Sequence, residues 1–254
     1  MKCTFLGTGT SMGVPVAGGF GRERLNGDPR NERYRCSVWV ESKEASVVID
    51  TGPEFRLQSI RANIRNIDLV LITHEHMDHI AGLDDLRSYN YIRKSALPLY
   101  STDKAIKCIR SRFDYMFGKN KYPGSASVKM NVLDSPILFK DIHITPLPYR
   151  HGNVDVQGYR INNFSYMTDV KSIPESTKEK VKGSKILVLS GLRWKPKHPT
   201  HLTIPEAVDI ATELNIPKTY LIHMNSYVNH AESNKKLPEH VRLAYDQQEI
   251  IIPD

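Results

Sequence analysis

Short apolar runs alternate with amphipathic stretches along this chain, and the two patterns predict different elements. The apolar runs are typical of buried strands, and they cover residues 38–40, 46–49, 67–73, 97–100, 142–146, 157–161, 164–167, 186–190 and 218–222. The amphipathic stretches predict helices over residues 81–91, 104–117, 172–181 and 205–214. Thr203 is a candidate N-cap for the last helix, two residues before Pro205. This alternation favours helices that cover a core of mixed sheet.

Polar residues suited to chemistry follow the predicted strands at several points along the chain. Asp50, His74, Asp169, Ser190 and His223 each stand at the end of an apolar run or just after it. In α/β layers, sites assemble at the carboxyl ends of strands, because the strands fix positions and the loops supply side chains. The sequence therefore predicts that these residues share one edge of the fold.

The densest candidate site is the heptapeptide Thr73–His79, which reads T-H-E-H-M-D-H. His74 and His76 are two residues apart on an extended stretch, so both rings can point to one side. Asp78 and His79 follow where the chain turns into the next predicted helix. One ion cannot easily take four ligands from so short a segment, whereas two adjacent ions can share them. Imidazole and carboxylate together suit zinc, manganese or iron; the alternative is a His-rich surface loop.

Three more residues offer ligands far along the chain. His151 follows the run at 142–146, Asp169 follows the run at 164–167, and His223 follows the run at 218–222. A carboxylate at Asp169 can bridge two ions with its two oxygens. Each residue alone could be structural, but beside the heptapeptide each is a candidate ligand.

Composition places this chain among ordinary globular proteins. It has 254 residues, 25% charged, and no apolar run near the roughly 20 residues that span a bilayer. The N-terminus lacks the apolar stretch of a secretory signal, and three scattered cysteines do not suggest a disulfide framework, so we expect a cytoplasmic location. The formal net charge of +7 favours anionic partners. Basic residues and tyrosines gather over residues 87–129; they could line a groove for an anion or form a solvated face.

The combined motifs resemble the metallo-β-lactamase superfamily. Residues 5–11 (F-L-G-T-G-T-S), 13–15 (G-V-P) and 82–87 (G-L-D-D-L-R) are similar to a narrower branch. That branch holds the phosphoribosyl cyclic phosphate phosphodiesterases of phosphonate breakdown, and the tRNA 3′-processing ribonucleases lie beside it. The resemblance implies an α/β (α+β) fold, an αββα sandwich of two mixed sheets with helices outside. It also implies one hydrolase domain over residues 1–254.

The resemblance further implies a role for each candidate residue. One divalent ion would be held by His74, His76 and His151, the other by Asp78, His79 and His223, with Asp169 between them. Asp78 is also expected to act in catalysis. His201, just ahead of a helix, would act near the leaving group, or could simply flank that helix. Asp50 would orient a ligand or the bridging water from outside the ligand set, or merely cap a turn, and His230 is the nearest further candidate for such a partner.

One departure concerns the loop at residues 17–24. Many members of the branch carry cysteines there, and a histidine three residues past the last ligand, which together hold a structural zinc. Here the loop has no cysteine and the later position is Ser226. We therefore expect no structural zinc.

The expected activity is hydrolysis of a phosphodiester, small or cyclic, by a hydroxide activated between two divalent ions (Mn²⁺, Zn²⁺ or Fe). The first alternative is a nuclease of the tRNA 3′-processing type, so nucleic acid remains a second partner class. A thioester or lactone hydrolase and a non-catalytic module are weaker alternatives. No membrane partner is expected, and a homodimer stays open because dimers are the commonest soluble oligomers.

Overall fold

The protein is built around two seven-stranded sheets. Its structure is a computed structural model that describes residues 1–118 and 121–254. The first sheet has the strand order β14-β1-β2-β3-β4-β5-β6. Its strands are β1 (Lys2–Gly7), β2 (Ser37–Glu41), β3 (Ser46–Ile49), β4 (Leu69–Leu71), β5 (Leu97–Ser101), β6 (Val128–Val132) and β14 (Glu249–Ile251). Because β1 and β3 both pair antiparallel with β2, and β3 pairs parallel with β4, the carboxyl ends of β1, β3 and β4 share one edge.

The second sheet has the order β13-β12-β11-β10-β9-β8-β7. Its strands are β7 (Ile137–Phe139), β8 (Ile142–His151), β9 (Val154–Ile161), β10 (Phe164–Met167), β11 (Ile186–Ser190), β12 (Lys218–Ile222) and β13 (Val241–Leu243). Strands β10 to β13 run parallel, and β8 runs in the same direction because both it and β10 pair antiparallel with β9. Their carboxyl ends therefore also share one edge.

The sheets pack face to face with helices on both outer sides. Leu69 and Leu71 of β4 join Tyr159 and Val188 of the other sheet in one buried core between the sheets. Val70 points the other way, into a second core beneath the helices. Strands buried on both faces read as continuous apolar runs. The described helices are α1 (Phe55–Arg61), α2 (Met77–Ile80), α3 (Arg87–Arg93), α4 (Asp103–Arg112), α5 (Glu175–Val181), α6 (Ile204–Glu213) and α7 (His230–Asn234).

This architecture confirms the expected αββα sandwich, while several element bounds differ from the predicted ones. The helix predicted over 81–91 is instead a 3₁₀ turn at Leu83–Leu86 followed by α3, and the short helix α2 before it was not predicted. The helix predicted over 104–117 ends at Arg112 and is followed by a 3₁₀ turn at Asp114–Met116. Helix α6 begins as predicted, with Thr203 and Glu206 forming a reciprocal capping box.

The two sheets meet at the edge where these strands end. Gly9, two residues after β1, forms parallel bridges both to Arg35 and to Met224, the residue after His223. This contact brings loops from both sheets to a common place. Among the described helices, none has the length and apolar character needed to cross a membrane.

Candidate metal centre

The heptapeptide Thr73–His79 leaves the carboxyl end of β4 and enters α2 within a few residues. His74 is fully buried and His76 is half-buried, and the Nε2 of His74 lies 2.9 Å from the Nδ1 of His76. His79 sits inside α2, and its backbone N–H donates to the carbonyl of His76. The strand end thus presents two rings and the helix presents Asp78 and His79 to the same space.

Asp50 lies behind this segment and holds it in place. Its Oδ1 accepts the backbone N–H of Thr73 at 2.8 Å, and its Oδ2 lies 2.7 Å from the Nδ1 of His79. The hydroxyl of Thr73 lies 2.9 Å from Asp50 Oδ2 and 3.0 Å from the Nδ1 of His74. A ring whose Nδ1 is occupied in this way offers its Nε2 to an ion. The geometry therefore matches the orienting role expected of Asp50.

Two glycines let α2 come close to the loop after Asp50. A Cβ at Gly52 would collide with the carbonyl oxygen of Asp78, and a Cβ at Gly82 would collide with the carbonyl oxygen of Gly52. The approach is closed by hydrogen bonds from Thr51 N–H to His79 and from Gly82 N–H to Thr51. Close backbone approach of this kind requires glycine, and Gly82 separates α2 from the 3₁₀ turn at Leu83–Leu86.

Asp169 and His223 come from the second sheet and face His79. The Nε2 of His79 lies 3.2 Å from both Asp78 Oδ2 and Asp169 Oδ2. The Nε2 of His223 lies 3.0 Å from Asp169 Oδ1. One ligand atom from each of these four residues fits within 4.8 Å of the others. The predicted second-ion set and the predicted bridging carboxylate are thus brought together.

His151 completes the cluster from the end of β8. Its Nδ1 lies 2.7 Å from the carbonyl oxygen of Thr200, which leaves Nε2 free to face the site. Its ring centroid lies 5.5 Å from that of His76 and 6.1 Å from that of His74. The second group of ligand atoms within 4.8 Å joins His151 to Asp169 and His201, so His201 lies as close to the ligand set as the predicted ligands do.

Several buried nitrogens at this place have no hydrogen-bond partner among the described residues. They are the Nε2 of His79, the Nδ1 of His201, and both ring nitrogens of His223. Unpaired buried polar atoms are rare and each needs an explanation. Imidazole and carboxylate atoms that are close together but not hydrogen-bonded are arranged around common points. This donor set fits divalent metal ions.

Three site residues also have an unusual backbone. Asp50, Asp169 and His223 have φ values of 65°, 55° and 62°. Each stands within two residues of the end of a strand, and the left-handed conformation turns its side chain into the site. Such conformations cost of order 1 kcal/mol or more each, and they concentrate at functional sites.

Burial and neighbouring charge shift the pKa values of the cluster in opposite directions. Burial lowers the pKa of His74 and of His76. Burial also lowers the pKa of His79, but Asp78, Asp50 and Asp169 outweigh it and raise that pKa well above 6.5. Burial raises the pKa of Asp169, but His223 and His79 outweigh it, so its pKa lies well below 3.8. The Asp169 carboxylate is therefore ionised, as a metal ligand must be.

His201 lies over the cluster with only 12% of its side chain exposed. Its ring stacks on His223 at 4.7 Å, and its Nδ1 lies 3.8 Å from Asp169 Oδ1. Burial, followed by the charge of His223, lowers the pKa of His201 to about 3. The ring is therefore neutral near pH 7 and can donate or accept one hydrogen bond.

The sequence reasoning missed some residues that the fold brings here. His198 lies with its ring 5.0 Å from that of His201, and its Nδ1 accepts the backbone N–H of Thr200 at 3.3 Å. The three-residue spacing of His198 and His201 was the available signal. Thr73 and Thr200 act through backbone or hydroxyl contacts, which residue type alone does not reveal.

His230 lies in a different and largely buried group, the Arg33 cluster, made of Thr8, Asn31, Arg33, His230 and Asp246. The Nδ1 of His230 lies 3.4 Å from Arg33 Nη2, and its backbone N–H donates to Asn31. None of its described contacts is with a candidate ligand. The prediction that His230 is an outer partner of the ligand set therefore finds no support in these contacts.

The loop at residues 17–24 packs on the segment after His223. Gly21 lies against Ser226, where a Cβ would collide with the serine side chain. The guanidinium of Arg24 lies 4.0 Å from the ring centroid of Tyr227 and 5.4 Å from that of Phe20. These contacts hold the loop against the segment that carries Ser226.

Comparison with known proteins gives a family match over most of the chain. Residues 45–224 match the model of the beta-lactamase superfamily domain. A solved structure described as a new diphosphatase from the PhnP family is 37% identical with a TM-score of 0.90, covering 99% of this chain and 98% of that one.

Two curated relatives widen the range of activities. An octanoyltransferase of Porphyromonas gingivalis is 36% identical over 258 residues, which is all of this chain but 52% of that protein. A ribonuclease Z of Clostridioides difficile is 28% identical over 143 residues, 53% of this chain and 45% of that protein. The chain thus spans about half the length of these curated relatives.

Proposed function

Because this chain belongs to the beta-lactamase superfamily and to its PhnP branch, we propose that it is a dinuclear metal-dependent phosphodiesterase that acts on small or cyclic phosphodiesters. The observation that carries the proposal is the set of buried histidine nitrogens that face carboxylates without hydrogen bonds. Divalent cations would satisfy these atoms, because imidazole and carboxylate are among their usual ligands.

In this proposal His74, His76 and His151 hold one ion, and Asp78, His79 and His223 hold the other, with Asp169 between them. Two bound divalent ions would supply an activated water and charge stabilisation for the phosphoryl oxygens. Zinc, manganese and iron all suit these ligands.

Other residues of the chain orient the proposed ligands and contact the substrate. Asp50 fixes the ring of His79, and the carbonyl of Thr200 fixes the ring of His151. His201, neutral and nearly buried, is placed to donate a hydrogen bond to the leaving oxygen or to a non-bridging oxygen of the ester. Asp78 is the most exposed of the three carboxylates around His79, at 14% of its side chain.

A nuclease is the second candidate, because the similarity to ribonuclease Z covers 53% of the chain. Two relatives suggest further substrates that should be compared with phosphodiesters. The PhnP-family relative is described as a diphosphatase, and the Porphyromonas relative as an octanoyltransferase. A diphosphate diester and an acyl thioester therefore belong in the same assay.

The test is a substrate panel on protein reconstituted separately with zinc, manganese and iron. The panel contains bis(p-nitrophenyl) phosphate, a ribose cyclic phosphate, a diphosphate diester, an octanoyl thioester and an unstructured RNA. We expect the highest kcat/KM on a small phosphodiester with at least one metal. A thioester as the best substrate, or turnover that does not depend on added metal, would contradict the proposal.

A further inference from the structure

A cavity of about 310 Å³ opens on the outer face of α3, built by residues outside the metal centre. It lies between the end of α3 and the turn at residues 121–125. Its lining includes Arg87, Lys94, Lys121 and the exposed Tyr91. These are four of the basic and aromatic residues of the region 87–129, of which residues 119 and 120 lie outside the described part of the chain. Other basic residues of the region, among them Lys107 and Arg110, are exposed and do not line the cavity.

The charge in this cavity is positive. No carboxylate occurs among its described lining residues. Arg87 lies 3.3 Å from Asp84, which offsets part of its charge. Lys94 and Lys121 are both exposed and form no ion pair with any residue in the described ranges. Two uncompensated cations in a concave site attract a ligand with more than one negative charge.

The floor of the cavity is rigid. The side chain of Asn90 donates to the carbonyls of Ser95 and Ser127 and accepts the backbone N–H of Ser127. On the other wall, Ser125 donates from both its backbone N–H and its hydroxyl to the carbonyl of Tyr122. The lysines therefore project from a preformed frame, so little ordering is needed on binding.

Two tyrosines flank the cations with their rings in solvent. Tyr91 is 76% exposed and Tyr122 is 62% exposed. Exposed aromatic rings beside a cationic groove are the arrangement that binds single-stranded nucleic acid, since bases stack on the rings and phosphates meet the cations. A free phosphate ion would use the lysines but not the tyrosines.

The cavity lies at the edge of the first sheet opposite the metal centre, because Ala96 and Ser127 of its lining stand before β5 and β6, which run parallel to β4. The backbone N–H of Tyr122 donates to the carbonyl of Tyr115. Just before it, Arg112 of α4 donates to the carbonyl of Glu75, between the two histidines of the motif. Lys104 of the same helix pairs with the Glu75 side chain at 2.6 Å. Arg112 and Lys104 thus contact the motif itself and do not line the cavity.

We propose that this cavity is a second, non-catalytic site that binds the phosphate backbone of a single nucleic-acid strand. Lys94 and Lys121 contact phosphates, and Tyr91 stacks on a base. The inference goes beyond the proposed function and does not rest on it, because binding at the cavity can be measured by itself.

The experiment measures fluorescence anisotropy of a labelled single-stranded phosphorothioate dodecamer with the metal-reconstituted protein at low and at physiological salt. We expect the double variant Lys94→Glu with Lys121→Glu to bind at least about tenfold more weakly, with a salt dependence reduced by about one to two phosphate contacts. Tyr91→Ala is expected to weaken binding about fivefold or more. Both variants should hydrolyse bis(p-nitrophenyl) phosphate at the wild-type rate, since none of these residues belongs to the metal centre.

Lys185→Glu is the matched control, because Lys185 is exposed and stands before β11 of the second sheet, whereas the cavity is lined by residues of the first-sheet half of the chain. An equal loss of affinity in Lys185→Glu, or unchanged affinity in the double variant, would overturn the inference. Competition by millimolar inorganic phosphate alone, or equally tight binding of a labelled oligoglutamate, would assign the cavity to a small anion or to an acidic peptide and would also overturn it. If the wild type hydrolyses no phosphodiester, the proposed function fails while the binding comparison still decides this inference.

Discussion

Two largely buried polar clusters lie near the same edge of this fold, and they differ in how their atoms are paired. In the Arg33 cluster, Asp246 accepts from Thr8 at 2.7 Å and from the backbone N–H of Tyr34 at 2.7 Å. Arg33 Nη1 donates both to Thr8 and to the carbonyl of Ala244. Within this cluster the Nε of Arg33 is the exception that lacks a partner among the described residues.

The metal-centre cluster is also buried, but several of its polar atoms are not hydrogen-bonded to one another; we call it the open cluster and the Arg33 cluster the closed one. His79, His201 and His223 keep nitrogens without described hydrogen-bond partners within 4 Å of the Asp169 carboxylate. The comparison teaches that buried polarity alone does not mark a functional site. A cluster whose donors and acceptors satisfy one another stabilises the fold, whereas one whose atoms converge without pairing is prepared for a ligand.

Asp169→Ala is expected to have the largest effect, and to change metal binding and activity at the metal-centre cluster without affecting the Arg33 cluster. Removing the carboxylate between the two groups of histidines should abolish stable metal binding and lower diesterase kcat/KM by more than about 100-fold, the upper range for a mere outer contact. His76→Ala should behave in the same way. The checks are elemental analysis after reconstitution and the diesterase assay. Full activity in both variants would remove the basis for the metal centre.

His201→Ala tests whether this ring is part of the ligand set. We expect turnover to fall about 100-fold or more, the range for loss of one hydrogen-bond donor to developing charge, with metal content unchanged. Elemental analysis beside kcat decides the matter. If metal is lost together with activity, His201 is a ligand, as its grouping with His151 and Asp169 would allow.

Asp50→Asn tests the outer contacts of the open cluster. The amide keeps the shape but loses the charge that faces His79 Nδ1 at 2.7 Å. We expect metal affinity to fall about 10- to 100-fold, measured by competition with a chromophoric chelator. An unchanged affinity would show that His79 is oriented by packing alone.

Thr8→Val should affect the closed cluster only. It leaves Asp246 and the buried Arg33 without a shared partner, so the free energy of unfolding should fall by about 1–3 kcal/mol. Metal content should stay at the wild-type level. Thr212→Val is the control, since that hydroxyl is exposed and donates to its own helix. Metal loss in Thr8→Val would mean that the two clusters are energetically coupled.

The smallest expected effect is a pH dependence that originates in Asp246. Burial raises the pKa of Asp246 to about 6, although hydrogen bonds from Tyr34 and Thr8 lower it. Between the ordinary pKa of 3.8 and this raised value, the folded protein therefore holds a proton that the unfolded chain has lost. The free energy of unfolding should fall by of order 1 kcal/mol as pH rises through this window.

Asp246→Asn cannot titrate, so it should lack this contribution. Urea unfolding of chelator-treated wild type and variant from about pH 4 to about pH 7 isolates the contribution in their difference, because the histidines titrate in both proteins. A difference that stays constant with pH would place the Asp246 pKa near its ordinary value.

The sequence predicted the open cluster far better than the closed one, for a physical reason. Four candidate ligands of the open cluster are adjacent in Thr73–His79, and the others stand at strand ends, where the pattern of apolar runs can be read. In the closed cluster, Thr8 meets Asp246 and Arg33 meets Ala244, and the members of these pairs are 238 and 211 positions apart in the sequence. Those contacts depend on the tertiary fold, and no local pattern marks them.

Element bounds followed the same rule. Helix α6 could be placed because Thr203 and Glu206 form a local capping box. The end of α2 before Gly82 could not be predicted, because it depends on the close approach of Gly82 to the carbonyl oxygen of Gly52 on another segment. Strand β8 continues past the predicted end at 146 to His151 because it pairs with β9 along its length, which delivers that histidine to the edge.

The left-handed backbone at Asp50, Asp169 and His223 lowers the stability of the fold at positions that the proposed activity requires. Glycine or asparagine would relax each position by some tenths of a kcal/mol to about 1 kcal/mol. A laboratory selection for heat resistance alone, in metal-free medium, would therefore accept replacements at these three positions early. The resulting proteins would melt at a higher temperature and bind metal ions less tightly, so any stabilised variant of this chain should be screened for metal content before its melting temperature is counted as an improvement.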